Sequence, residues 1–249
     1  MLLYDNPNNT NTLGNEKYCL KYLSKKNNAY LMDNHLAAAW CWMRECEENE
    51  EYGFLHIDRH HDMCREGKTP LFDDLKSVTL DDYLSSRYTL QGAIGPLEYP
   101  AFSWNTYITK CFDLCPRWFS STALIIKQDL GLGIMNETPD FNYNIYPYNQ
   151  ALKTIHRCLS DRSRKWIVNV DIDYFFGGRD PDVLGAKVTK RYKDSTIQKF
   201  ARVINHYASN IQVLTVALSP ECCGDMEKSL DAFRVFAGEM PMLHGIMDK

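Results

Sequence analysis

The chain has 249 residues, of which 45% are apolar, 24% charged and 12% aromatic, with a formal net charge of −4. That length suits one large α/β domain, or two small ones, with a solid core, and the scattered Lys and Arg offer no basic field to a nucleic acid or a membrane surface. No apolar run approaches the roughly 20 residues that cross a bilayer, and nine cysteines in so core-rich a chain read as thiols of a reduced, cytoplasmic protein.

Residues 1–29 carry many Asn and few apolar groups, and no charged-then-apolar leader pattern. They read as a mobile or surface-hugging segment of a single domain spanning 1–249. AYLM, residues 29–32, is the first strand; it ends at Asp33, Asn34 and His35, and a helix follows over LAAAWCWMREC with Leu36, Trp40 and Met43 on one face. YGFLHI, residues 52–57, is the second strand and runs straight into Asp58, Arg59, His60, His61 and Asp62.

The span 63–165 is rich in aromatics. YPAFSWNTY, DLCPRWFS and DFNYNIYPYNQ are a candidate peptide-binding surface, with packing around loops as the alternative. Asp73, Asp74, Asp81 and Asp82 read as solvated helix starts. Cys111 and Cys115 have no second pair at zinc-finger spacing, and GLG at 131–133 lacks the rest of a dinucleotide fingerprint.

WIVNV, residues 166–170, is the third strand, ending in Asp171, Ile172 and Asp173; FGGRDPD, 176–182, reads as a turn. DSTIQKFARVINHYAS predicts a helix capped by Asp194 or Ser195, with Ile197, Phe200, Ala201, Ile204 and Tyr207 inward. IQVLTVAL, 211–218, is the fourth strand and ends in Ser219, Pro220 and Glu221; a helix from about Asp225 turns Met226, Leu230 and Phe233 inward.

Short apolar runs alternating with amphipathic helices predict a mostly parallel, doubly wound α/β sheet covered on both faces. Ligands bind such sheets at the carboxyl ends of the strands, where all four polar clusters fall. Extended backbone would turn Asp58, His60 and Asp62 to one side, with Asp171 and Asp173 repeating the pattern, while Arg59 and His61 turn away. Together with His35 these make four carboxylates and two imidazoles, too much like charge to bury without cations. So carboxylate-rich a set, with no Cys expected among the ligands, favours two Mn²⁺ ions sharing an ionised water over a single Zn²⁺. Cys222 and Cys223 read as structural thiols.

In order, His35, the D-x-H-x-D of Asp58, His60 and Asp62, the D-x-D of Asp171 and Asp173, and Glu221 resemble the motifs of the ureohydrolases, the family of arginase and agmatinase. The resemblance implies a three-layer α/β/α fold. It implies one Mn²⁺ on His35, Asp58, Asp62 and Asp171, and a second on His60, Asp58, Asp171 and Asp173. Glu221 would grip the substrate guanidinium, and Asp62 would carry a proton to the leaving nitrogen. Cys64 replaces the Asn with which arginases read a free substrate carboxylate, and no His stands between His61 and His156. A proton shuttle would then fall to His156, His206 or His244.

The strings HIDRHHD, VDIDYF and ALSPECC are similar to a compact branch that includes peptide arginases. That likeness implies conversion of arginine to ornithine within a ribosomal precursor peptide as partner, with release of urea, and neither a nucleic acid nor a membrane partner. The readings set against it are a hydrolase of free arginine, agmatine or another small guanidine, a zinc deacetylase of the same fold, and a non-catalytic module that keeps metal for stability.

Overall fold

Three of the apolar runs become adjacent parallel strands buried along almost their whole length. The computed structural model describes residues 1–9, 18–92, 95–127, 142–178 and 188–248. In chain order the strands are β1 Leu2–Asp5, β2 Tyr22–Lys26, β3 Ala29–Met32, β4 Tyr52–Asp58, β5 Arg87–Gly92, β6 Gly95–Pro100, β7 Ser121–Ile126, β8 Tyr143–Tyr146, β9 Lys165–Asp171, β10 Phe176–Gly178, β11 Val188–Arg191 and β12 Ile211–Ala217. The helices are α1 Ala38–Glu45, α2 Leu80–Ser85, α3 Tyr107–Leu114, α4 Ala151–Ser160, α5 Asp194–His206, α6 Pro220–Cys223 and α7 Met226–Ala237.

Eight strands form one sheet in the order β1-β2-β3-β12-β9-β4-β7-β8. From β3 to β8 every neighbour is parallel, and β1 and β2 extend the sheet antiparallel. Side chains alternate between two cores. Leu55, Ile57, Val168, Val170, Leu214 and Val216 pack with residues of α4, α5 and α7, whereas Phe54, Ile126, Ile167 and Val213 pack with residues of α1, α2 and α3. Burial on both faces is why β4, β9 and β12 read as continuous apolar runs, and the result is the expected three-layer α/β/α fold. No helix among the described residues is long and apolar enough to cross a membrane.

The register levels the strand ends. Ala217 pairs with both Met32 and Asp171, and Ile57 pairs with Val170, so Asp58 and Asp171 lie side by side. The carboxyl ends of β3, β12, β9 and β4 therefore make one rim.

Several expectations are corrected. Within residues 1–29, β1 and β2 are paired strands of the sheet instead of a segment hugging its surface. Lys193, extended and without a side-chain cap, precedes α5, while Asp194 enters the first turn and pairs with Arg191 at 2.8 Å. Met226 is 40% exposed because α7 begins there, beyond the sheet's edge of contact; Leu230 is half-buried and Phe233 buried. Ala101, Phe102, Tyr107, Trp118 and Phe119 belong to the core, so these residues of YPAFSWNTY and DLCPRWFS pack the interior, while Asp113, Pro116, Arg117 and Ser120 are exposed. Asp82 completes a capping box with Thr79 at α2, as a solvated helix start should. FGGRDPD opens as β10 rather than a turn; its residues 179–182 and the GLG at 131–133 lie outside the described residues.

Candidate metal centre

Each strand end places its side chains by a local turn. After β3, the Asn34 side chain accepts from Leu36 N at 2.9 Å and donates to Cys19 O at 2.7 Å, which sets His35 at the head of a 3-10 turn, 1% exposed. After β4, the backbone N–H of His60 donates to Asp58 Oδ1 at 2.6 Å, and Asp62 adopts a left-handed φ of 51°. After β9, Asp173 N donates to Asp171 Oδ1 at 2.8 Å and a 3-10 turn begins. The ligands converge through these turns, and not through the continued extended alternation that the spacing suggested: β4 and β9 stop at Asp58 and Asp171.

The six candidate ligands meet in two foci. His35 Nδ1 lies 3.1 Å from Asp62 Oδ2 and 3.5 Å from both Asp58 Oδ2 and Asp171 Oδ2. His60 Nδ1 lies 3.0 Å from Asp173 Oδ2 and 3.5 Å from Asp58 Oδ1. Asp58 thus offers one oxygen to each imidazole. The Ser219 hydroxyl donates to Asp171 Oδ2 at 2.5 Å from a left-handed φ of 43°, so two of the three positive-φ residues other than glycine among the described residues, Asp62 and Ser219, sit at this site.

Burial governs the electrostatics. It pushes the carboxyls of Asp58 and Asp62 up to about 7, with Asp173 adding repulsion to both, and drives Asp171 well above the usual carboxylate range. It acts upward on Asp173 too, but His60, the Arg59 backbone N–H and the Arg59 charge outweigh it and hold that carboxyl low. His35 and His56 are pushed down by the same burial. Four carboxyls and two imidazole nitrogens turned inward, with Asp58 Oδ2 and Asp173 Oδ2 buried and making no hydrogen bond among the described residues, are the donor set of hard divalent cations. The residues fit two such ions.

A polar layer lies one step beneath the ligands, on the α1–α3 side. His56, Asn169 and Thr215 are register partners across β4, β9 and β12, two residues before Asp58, Asp171 and Ala217. Trp42 Nε1 can only donate, and does so to Thr215 Oγ1 at 3.1 Å; the Thr215 hydroxyl then donates to Asn169 Oδ1 at 2.6 Å. This directs the Asn169 amide to donate to Tyr107 Oη at 2.8 Å and to His56 Nδ1 at 2.9 Å. The Tyr107 hydroxyl is left to bond Asp62, and His56 Nε2 faces Asp58 Oδ2 at 3.4 Å. One indole N–H therefore orients a chain of hydrogen bonds that ends on Tyr107 and His56, the side chains beside the candidate ligands Asp62 and Asp58. The sequence signal for this layer is a polar residue inside each apolar run: His56 in FLHI and Asn169 in WIVNV.

Other residues fall differently from expectation. Cys222 is no bystander: its Sγ and donor atoms of His60 and Asp173 lie within 4.8 Å of one another, because the short α6 turns its first residues back over the rim. Glu221 stands next to it on α6 with Oε2 buried. None of His156, His206 and His244 is at the rim: His156 bonds Tyr207, His206 ends α5 near the start of β12, and the His244 carbonyl accepts from Lys26 at the opposite end of β3. The half-buried imidazole beside the site is His61, whose Nδ1 accepts from Met63 N at 3.0 Å. None of the nine cysteines forms a disulfide.

No family model matches the chain, and no curated protein matches it.

Proposed function

We propose that this protein is a dinuclear Mn²⁺ hydrolase that converts arginine residues of a ribosomal precursor peptide to ornithine residues, releasing urea. The observation that carries the reading is Asp58, fully buried between two imidazoles with one carboxylate oxygen toward each. Two ions bound there would supply Lewis acidity and a nucleophile of hydroxide strength at neutral pH. His35, Asp62 and Asp171 would hold one, and His60 and Asp173 the other, with Asp58 shared.

The chain's own groups account for the remaining demands. A guanidinium carbon is a weak electrophile, so the planar N–H fork must be held still over the nucleophile, a task for the Glu221 carboxylate at the rim. Asp62 sits at the nucleophile's edge of the cluster, 13% exposed. It would take the proton released as the C–O bond forms and return it to the departing side-chain nitrogen. Tyr107 steadies Asp62 by its hydrogen bond. Water plus a guanidinium then yields urea and a protonated amine. Cys64, anchored through its backbone to Asn105 N-terminal to α3, offers no group for a free α-carboxylate, which favours a substrate embedded in a chain.

The test is direct. Mn²⁺-loaded protein is incubated with arginine, agmatine and an arginine-containing precursor peptide, and urea and peptide mass are measured. Loss of CH₂N₂ from the peptide with matching urea is expected; urea from free arginine alone would sink the peptide assignment. Asp171→Ala should abolish turnover and lower bound metal, and unchanged values for both would overturn the metal centre.

A further inference from the structure

The His60 focus contains a donor that the other lacks. His60 Nδ1 comes within 3.0 Å of Asp173 Oδ2, yet that oxygen is fully buried and makes no hydrogen bond among the described residues. The Cys222 Sγ, one ring nitrogen of His60 and one carboxylate oxygen of Asp173 lie within 4.8 Å of one another. On a tetrahedral ion, with bonds of about 2.3 Å to sulfur and about 2.0 Å to nitrogen or oxygen, such donors stand roughly 3.5 Å apart. The three side chains need close only slightly around an ion to meet that spacing.

We infer that Cys222 is a sulfur ligand at the His60–Asp173 position, so that the two metal positions differ in hardness: both take Mn²⁺, and the His60 position in addition accepts a softer divalent ion such as Zn²⁺, Co²⁺ or Fe²⁺. The inference rests on the metal-centre reading above and refines which ion each half takes. Binding breaks the Cys222 S–H bond as the metal–sulfur bond forms; sulfur keeps the electron pair and the proton leaves to water. Cys223, buried behind Cys222 with its thiol donating to Leu218 O at 3.4 Å, points away and serves as the internal control. Thiolate ligation is what turns a site of imidazole and carboxylate toward softer metals.

The experiment uses the metal-free full chain titrated with Co²⁺, reading bound cobalt and near-ultraviolet absorption, where sulfur-to-cobalt charge transfer appears. The wild type and Cys223→Ser should develop the band. Cys222→Ser should bind cobalt without it, and its Zn²⁺ affinity should fall at least about tenfold while Mn²⁺ affinity moves little. In parallel, Zn²⁺ should shield Cys222 of the unmutated protein from alkylation, mapped by peptide mass, which keeps the test independent of the variant's folding. Cobalt bound with no near-ultraviolet band, a band that survives in Cys222→Ser, or Cys222 alkylated equally with and without Zn²⁺ would each overturn the sulfur ligand while leaving the centre intact. No cobalt bound by wild type, matching Asp58→Ala, would overturn the centre as well.

Discussion

Asp62 shows how one residue is set against stability. It takes a left-handed φ of 51°, and burial with repulsion from Asp173 raises its carboxyl to about 7. Both features are costly in a protein without cations: a non-glycine residue in that conformation and a carboxyl crowded by its own kind. Asp62→Gly relieves both at once. The metal-free midpoint of thermal unfolding should rise, and metal affinity, followed by calorimetric titration, should fall by about tenfold or more. A metal-free midpoint that drops would mean that Asp62 holds the turn by contacts stronger than this balance allows. The clustering of these acids and imidazoles was legible in the sequence because such residues at strand ends have few other reasons to converge. Cys222 was not legible as a participant, because only the fold of α6 brings its sulfur over the rim.

At the scale of elements, the strands announced themselves according to how they are buried. AYLM, YGFLHI, WIVNV and IQVLTVAL match β3, β4, β9 and β12 to within about a residue, since strands covered on both faces leave no polar alternation to confuse. β7 carries a similar run but ends in Lys127 instead of acids, and the edge strands β1 and β8, with β2 beside β1, are partly exposed and mixed in composition, so they leave weaker traces. Packing between strands is tight enough to be tested at Gly53, which pairs with Trp166 in β9. A Cβ there would meet the indole at 2.5 Å, and Trp166 is 1% exposed with no room to retreat. Gly53→Ala should cost about 1–3 kcal/mol by overpacking and lower the unfolding midpoint. Metal content measured well below that midpoint should stay as in the wild type, since Gly53 lies at the far end of β4.

The whole molecule carries the charge imbalance of its centre into its stability. Asp58 and Asp62 titrate near 7 when folded, against about 4 in an unfolded chain, and Asp171 is displaced the same way. The folded state then holds protons that the unfolded state has released, so stability falls as pH rises toward and through 7. Burial-depressed His35, His56 and His61 work in the opposite sense only below about 6.5, where unfolded histidines are charged. Between about pH 6.5 and 7.5 the carboxyls decide the sign. Metal-free protein should therefore melt several degrees lower at the upper pH, and saturating Mn²⁺ should abolish or invert the difference; a pH-independent midpoint without metal would contradict the buried carboxyl cluster.

The position of β12 ties this centre to the order in which the chain is made. β3, which leads to His35, and β9, which carries Asp171, touch no common neighbour except β12, and β12 is the last strand of the sheet. Until residues 211–217 insert between them, His35 belongs to a separate β-sheet from the other five candidate ligands. The candidate ligands of β4 and β9 can meet before that step, whereas the His35 focus is completed only when the sheet closes.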